Sequence, residues 1–577
     1  MTPKEALHTY FGYDDFRPLQ SEIIDSVLRG RDTLALMPTG GGKSICFQVP
    51  TLVMAEQDEN KRLCLVITPL IALMRDQVAN LEARNIHAAA VYTGMSYDKQ
   101  RVALDNCLYG PYHFLYCSPE RLESEEFRKR LADLPIGLIA VDEAHCISQW
   151  GYDFRPSYLN IAAVRELLPN VPVLALTATA TPETIDDIQA KLGFKEQNVL
   201  RKSFHRDNLI YVVRRTDNKP EQVAHILSRV PGSAIIYVRN RKRAQELAEW
   251  LNVQCPMSNV QYYHAGLTTK ERNDRQEAWT RGDTRVIVAT NAFGMGIDKP
   301  DVRLVIHYDL PSHLESYYQE AGRAGRDGET AYAVLLFNPQ EDPAKIRKRI
   351  VDTYPPKEFV ESVYHKTMDF LQIGAGSGLG HRFALHIDQL CHVMKLPVLQ
   401  TYSALHILTQ AGYIDFEEEH ETQPRVQILV PRYQLGDYNL SREQAELLDV
   451  LMRSYTGIYT DLQYVREADQ TTNDKRQTTN HEILVSLAQR GIITYIPRSI
   501  GCSLTMTNER QTEIYLSPVI FEQRQERFVS KINAMLEYAE QTQFCREQVL
   551  LAYFGETNAS VCGRCDVCRE RASHSDL

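Results

Sequence analysis

The chain has 577 residues, 64 Lys and Arg against 74 Asp and Glu, and a formal net charge of −10. With 44% hydrophobic and 24% charged residues it has the composition of folded protein, which excludes whole-chain disorder and collagen-like repeats, and its length implies about three to five domains. No apolar run approaches the ~18 residues of a membrane helix, the start MTPKEALHTY lacks a secretory apolar core, and the acidic balance argues against broad polyanion binding, so the expectation is a soluble intracellular protein.

From Asp32 to about Phe337, short Val- and Ile-rich runs alternate with longer helical patterns. Strands are expected at 33–37, 63–68, 138–142, 173–177, 234–238, 286–290 and 331–337. Continuous apolar runs of this length with helices between them predict parallel sheets covered on both faces. The stretch 192–209 reads as a seam between two α/β lobes in series.

The first chemistry-bearing motif is Met37–Ser44, directly after the first strand and before a helical stretch. Thr39, Gly40, Gly41 and Gly42 allow backbone N–H groups to converge on phosphate oxygens, with the helix N-terminus adding a favourable dipole. Lys43 can reach the β- and γ-phosphates of ATP and the Ser44 hydroxyl can ligate Mg²⁺. The strict phosphate-loop pattern asks for Gly at position 37 and finds Met37. Asp142-Glu-Ala-His145 follows the apolar run LIAV, which places its carboxylates near the phosphate loop of the same sheet. Asp142 is expected to hold Mg²⁺ through water, and Glu143 to orient and deprotonate the attacking water. In Gln319–Gly328, Arg323 and Arg326 lie three apart among small residues, spaced to share a face and approach a phosphate from the second lobe.

Of the 12 cysteines, Cys46, Cys64, Cys107, Cys117, Cys146 and Cys255 are scattered and need be no more than buried apolar residues. Cys562, Cys565 and Cys568 instead form C-x2-C-x2-C, with Cys545 upstream. Such loops space thiolates for tetrahedral Zn²⁺, while four thiolates also suit an iron–sulfur cluster.

These motifs, in this order, resemble superfamily 2 helicases and, more finely, the RecQ family of DNA helicases. The resemblance rests on Phe11–Gln20, Met37–Ser44, Thr68–Gln77, Ser118–Leu122, Asp142–Gly151, Asp153–Pro156, Leu176–Thr181, Ala289–Asp298 and Gln319–Gly328, and on the cysteine cluster. It implies two tandem RecA-like parallel-sheet lobes and a small zinc-binding segment; between them, helical patterns over 383–416 followed by the β-like run RVQILV read as a mainly α, winged-helix-like DNA-binding region. It implies that Arg17 and Gln20 read adenine, that Arg326 is the arginine finger, and that Trp150, Phe154 and Arg155 touch unstacked bases and couple DNA to hydrolysis. Where the family usually has His in this loop, the chain has Tyr152. The Cys545 context, CREQVLLAYFGE, resembles the family's zinc-binding segment.

The domains expected are residues 1–203 and 204–345 for the two lobes, 346–380 for a helical linker, 381–540 for the winged region and 541–577 for the zinc segment. About 200 residues separate the lobes from the zinc segment, which directly follows the lobes in the usual family layout; no further family domain fits in the nine residues after Cys568. Within the intervening part, Gly374–Gly380 reads as a flexible seam, acidic 416–421 would repel phosphate, and a faint echo sets Leu405, Leu408, Gln410, Gly412 and Ile414 against Leu484, Leu487, Gln489, Gly491 and Ile493. The resemblance implies an ATP-, Mg²⁺- and Zn²⁺-dependent 3′–5′ DNA helicase of the cytoplasm and nucleoid, with a monomer as the default expectation. It would act on single-stranded, forked and duplex DNA beside single-strand-binding and recombination proteins. An RNA helicase and a zinc-and-wing DNA-binding regulator are the competing readings.

Overall fold

The computed structural model describes the chain except residues 39, 93–94, 149–150, 152–153, 256–257, 295–296, 298, 419–423, 456, 460–462, 466–482, 489, 497–501 and 576–577. Two compact units are present: residues 1–347 with 527–577, and residues 348–526. No helix among the described residues is long and apolar enough to cross a membrane.

The first lobe is a seven-stranded sheet of β1 (Thr33–Leu36), β2 (Leu63–Ile67), β3 (His87–Val91), β4 (Tyr112–Cys117), β5 (Ile136–Val141), β6 (Val173–Thr177) and β7 (Val199–Arg201), in the order β3-β4-β2-β5-β6-β1-β7. Every neighbouring pair is parallel. Strands β1, β2, β5 and β6 are buried along their whole length, because alternate side chains feed two separate cores, one on each face. Helices α1 (Gln20–Leu28) and α2 (Ile45–Gln57) pack into one of those cores through Ile23, Ile24, Val27, Phe47 and Val49. The second lobe is a parallel sheet of β8 (Leu209–Arg215), β9 (Ser233–Tyr237), β10 (Val260–Tyr263), β11 (Val286–Ala289), β12 (Val302–His307) and β13 (Ala331–Phe337), ordered β10-β11-β9-β12-β13-β8, with α3 (Leu314–Ala321) on it. The stretch 192–209 is more than a seam, since its middle forms β7 and closes one edge of the first sheet.

The second unit contains two winged-helix-like modules, one nested within the other in sequence. The outer module comprises α4 (Lys357–Phe370), β14 (Arg382–Leu385), α5 (Ile387–Met394), α6 (Val398–Gln410), β15 (Ile414–Glu417) and β19 (Cys502–Met506). Strand β19 pairs antiparallel with both β14 and β15, so Glu417 faces Ser503 across the whole insertion. The inner module fills that insertion with β16 (Arg425–Ile428), α7 (Arg442–Ser454), β17 (Gln463–Tyr464), a helical 483–488 and β18 (Ile493–Ile496) around its own core. Helix α7 starts on a reciprocal cap: Ser441 Oγ accepts from Gln444 N at 3.2 Å, and Gln444 Oε1 accepts from Ser441 N at 3.1 Å. The faint echo in the sequence corresponds to a shared device, in which each helix ends at a left-handed glycine, Gly412 at φ 78° and Gly491 at φ 70°, before β15 or β18; Gln489 lies outside the described residues. The glycine-rich Gly374–Gly380 is not an open seam. Gly376 N donates to Arg510 O and Gly380 N to Met506 O, and a Cβ on Gly378 would sit 2.9 Å from Ile373, so the glycines form a closed turn.

The last helices, α8 (Glu522–Glu540), α9 (Arg546–Tyr553) and α10 (Asp566–Ser575), return the chain to the lobes: Lys531 pairs with buried Glu315 at 3.0 Å and Tyr538 packs on Tyr317. The distance of 200 residues in sequence therefore does not separate the zinc segment from the lobes in space. Inside this segment the buried Arg546 guanidinium grips Asp566, at 3.1 Å through Nε and 2.9 Å through Nη2. Asp566→Asn is expected to cost about 3 kcal/mol, since removing one partner strands a buried charge. Hydrogen exchange of the α9 amides measures this loss; unchanged protection would assign the pair no structural role.

Candidate functional site

The phosphate loop leaves the C-terminal end of β1 and Asp142 leaves that of β5, with only β6 between the two strands. Side chains on the two loops therefore meet: Lys43 Nζ lies 3.6 Å from Glu143 Oε1. On its other side Glu143 Oε2 lies 3.4 Å from His145 Nδ1, and that nitrogen stands 2.9 Å from Thr177 Oγ1 at the end of β6. Glu143 is held at φ 48°, a left-handed conformation costly for a residue with a Cβ. Its neighbours over-determine that turn, since Asp142 Oδ1 accepts from Glu143 N at 3.0 Å and Tyr158 Oη donates to Asp142 O at 3.0 Å. His145 and Thr177 lie in the Asp142–His145 and Leu176–Thr181 motifs, but their roles show only in the structure, and Tyr158 belongs to no motif. Together they hold the backbone and the carboxylate.

Burial and the adjacent Glu143 charge push the Asp142 carboxyl up to about 6. Burial also acts upward on Glu143, but Lys43, with His145 and Arg323, outweighs it and the carboxyl is held below its ordinary range. Two adjacent carboxylates, half-buried Asp142 and buried Glu143, with Glu143 Oε2 accepting no hydrogen bond among the described residues, form a donor set that suits a hard divalent cation such as Mg²⁺.

Arg17 Nη1 donates to Gly40 O at 2.5 Å, and Gln20 Nε2 to Gly42 O at 3.0 Å. Both side chains proposed to read adenine thus brace the phosphate loop here. Gly42, at φ 79°, is required by this approach, since a Cβ would fall 2.4 Å from Gln20 Nε2. Ser44 stands at the N-cap of α2 in helical conformation. From the second lobe, Arg326 Cγ would lie 3.4 Å from a Cβ built on Gly40, and Arg326 Nη1 donates to Ile297 O at 2.8 Å. Arg323 is buried and acts electrostatically on Glu143. The structure thus brings Lys43, Asp142, Glu143, Arg323 and Arg326 to one cleft between the lobes. Of the loop residues, Arg155 Nη1 donates to Pro69 O at 3.4 Å and Lys191 Nζ lies 5.7 Å from the centre of the Phe154 ring. Thr39, Trp150 and Tyr152 lie outside the described residues.

At the other site, ligand sulfurs of Cys545, Cys562, Cys565 and Cys568 all lie within 4.8 Å of one another. A tetrahedral zinc with Zn–S near 2.3 Å requires S···S edges of roughly 3.8 Å, and Cys562–Cys568 and Cys545–Cys565 are each at 4.0 Å. Backbone N–H groups point at these sulfurs, Cys562 N at Cys545 Sγ (3.3 Å), Cys565 N at Cys562 Sγ (3.3 Å) and Cys568 N at Cys565 Sγ (3.4 Å), as thiolate ligands require. The four cysteines fit the metal.

Residues 17–188 match the DEAD/DEAH box helicase family and 218–328 the helicase conserved C-terminal domain. Residues 426–497 match the RecQ helicase winged-helix domain of Bacteroidota, and 509–569 the RecQ zinc-binding family. ATP-dependent DNA helicase RecQ of Pasteurella multocida is 41% identical over 341 residues, covering 59% of this chain and 53% of the relative. The Bacillus subtilis protein of the same name is 44% identical over 341 residues, 59% of this chain and 56% of the relative. The probable ATP-dependent DNA helicase RecS of Bacillus subtilis is 40% identical over 339 residues, 58% of this chain and 67% of the relative. The matched part thus spans about half the length of the first two relatives. Among solved structures, the DUF1998 helicase MrfA bound to DNA shares the fold, with TM-score 0.50 and 19% identity over 60% of this chain and 52% of that one. With both lobes, a winged-helix module and the four-cysteine segment each matched, the chain belongs to the RecQ family of helicases.

Proposed function

We propose that the chain is an ATP-dependent DNA helicase that translocates 3′ to 5′ on single-stranded DNA and unwinds duplexes in recombination and repair. The observation that carries this reading is the convergence of Lys43 and Glu143 from one lobe with Arg323 and Arg326 from the other. Lys43 binds the β- and γ-phosphates, with the loop N–H groups of Gly40, Gly41 and Gly42 beside it. Ser44 and Asp142 hold Mg²⁺, which when bound neutralises charge between the phosphates. Glu143, kept ionised by its cationic neighbours, orients the attacking water and accepts its proton. Arg326, with Arg323, faces the charge that develops on the transferred phosphoryl group. Arg17 and Gln20 would exchange their hold on the phosphate-loop carbonyls for contacts to adenine, linking base recognition to loop shape.

The two lobes hold one nucleotide between them, so binding and release shift one lobe against the other and move the DNA grips with them. Trp150, Phe154 and Arg155 are the proposed grip on unstacked bases, where stacking contributes ~1–3 kcal/mol per base without regard to sequence. The partners proposed are single-stranded, forked and duplex DNA with single-strand-binding and recombination proteins, for a monomer in the cytoplasm and nucleoid. Comparing ATP turnover with single-stranded DNA and with RNA tests the reading. Stimulation by DNA alone is expected; equal stimulation by RNA would turn the assignment to RNA remodelling, and no stimulation by either to a DNA-binding regulator.

A further inference from the structure

The backbone between Arg323 and Arg326 is held from outside its own loop. Arg206 Nη2 donates to Ala324 O at 3.1 Å and Gly325 O at 2.9 Å, and its Nη1 to Gly322 O at 3.5 Å. Asn208 Nδ2 adds bonds to Gly325 O at 2.6 Å and Glu329 O at 2.8 Å. Gly325, at φ 64°, allows this approach, because a Cβ there would lie 2.5 Å from Asn208 Nδ2.

Arg206 is held in turn by the zinc segment. Its backbone N–H donates to Glu547 Oε1 at 3.2 Å, and its carbonyl accepts from Arg564 Nη2 at 3.5 Å. Glu547 is buried two residues after Cys545, and Arg564 stands between Cys562 and Cys565. The preceding residues are fixed from the same side: His205 Nδ1 lies 2.7 Å from Glu547 Oε1, while Glu556 accepts from Ser203 Oγ at 2.6 Å and Phe204 N at 2.7 Å. The side chain of Phe204 packs with Tyr318 of α3 and Phe554, next to the same loop. One residue therefore has its main chain docked on the cysteine cluster's own segment and its guanidinium docked on the arginine-bearing turn.

We propose that Arg206 is a positioning residue for ATP hydrolysis, transmitting the seating of the zinc segment to Arg323 and Arg326. The inference rests on the reading of those two arginines as cations that act on the phosphates. A planar guanidinium can bond neighbouring carbonyls together, whereas a lysine ammonium is a point charge that cannot reproduce the fork. Displacing a catalytic group by about 1 Å costs about 10²-fold in rate. Because the arginines act on charge that develops during the reaction, loss of their placement lowers kcat and leaves ground-state nucleotide affinity in place.

The test uses the full chain with Arg206→Gln, Arg206→Lys, Arg326→Ala and the Arg206→Gln/Arg326→Ala double variant. DNA-stimulated kcat, KM for ATP, equilibrium affinity for a non-hydrolysable ATP analogue, and zinc content are measured for each. Arg206→Gln is expected to lower kcat by about 10–10²-fold, with KM, analogue affinity and zinc content unchanged and incomplete recovery in Arg206→Lys. In the Arg326→Ala background the same substitution is expected to cost much less than in the unaltered protein, the remainder acting through Arg323. Losses that multiply, or a loss confined to KM, would overturn the proposal. Should Arg206→Gln shed its metal, Asn208→Ala, which removes the other donor to Gly325, decides by the same non-additivity with Arg326→Ala. Absence of ATP turnover in the unaltered protein would instead strike the functional reading beneath the inference.

Discussion

Lys43→Ala is expected to lower ATP turnover by about 10²–10³-fold, the range for deleting one preorganised donor at a developing charge. Two losses coincide at this residue. The cation that reaches the phosphates disappears, and so does the strongest of the charges that keep Glu143 ionised in a buried setting. Without Lys43, burial and the neighbouring Asp142 carboxylate raise the Glu143 carboxyl, so the base itself weakens. The fold should survive, because the side chain projects into the cleft while the cores on each face of the sheet are formed by other residues. Steady-state ATP turnover at saturating DNA, with circular dichroism as the control, measures this; unchanged turnover would remove the phosphate loop from the site.

Cys562→Ser is expected to release close to one zinc per chain and to unfold the segment around α9 and α10. Binding energies of roughly 10–16 kcal/mol in zinc-dependent peptides show how far a small cysteine-bound segment relies on its metal. The local apolar cluster here is small, Cys545, Cys565 and Val567 with half-buried Cys562 and Cys568, so the loops depend on the metal beside the Arg546–Asp566 pair and the contacts of α9 with the second lobe. The damage should reach the second lobe, whose residues 203–206 are fixed by Glu547 and Glu556 of the same segment. Metal analysis and limited proteolysis read both effects. Full zinc content in the variant would refute the ligand assignment, and bound iron in the unaltered protein would identify a cluster in place of zinc.

What the sequence disclosed depended on how local each signal was. The phosphate loop, the Asp142-Glu143 pair and the three clustered cysteines are defined within a few residues, and the structure sets Lys43 beside Glu143 and groups the cysteines. The apolar runs for β1, β2, β5, β6, β9, β11 and β13 were likewise plain. Strand β3, HAAAV, escaped because alanines carry no β preference, and β10, VQYY, because it is short and half-polar. The nesting of one winged module in another could not be read, since β15 pairs with β19 across the whole inserted module and no residue marks that partnership. The return of the zinc segment to the lobes was hidden for a related reason. Glu547, Glu556 and Lys531 look like ordinary surface charges of helices, yet they make the contacts that seat 203–206 and α3. Net charge is the least local signal: a value of −10 describes the whole surface and says little about a cleft that gathers Arg17, Lys43, Arg323 and Arg326.

Strand displacement tests the central claim most directly. With ATP and Mg²⁺, duplexes carrying a 3′ single-stranded tail, a 5′ tail or blunt ends are presented to the full chain, and the released strand is quantified. Unwinding of the 3′-tailed duplex, abolished by Lys43→Ala and absent on the 5′-tailed one, is the predicted result. Preference for the 5′ tail, or ATP turnover without strand release on any duplex, would contradict it.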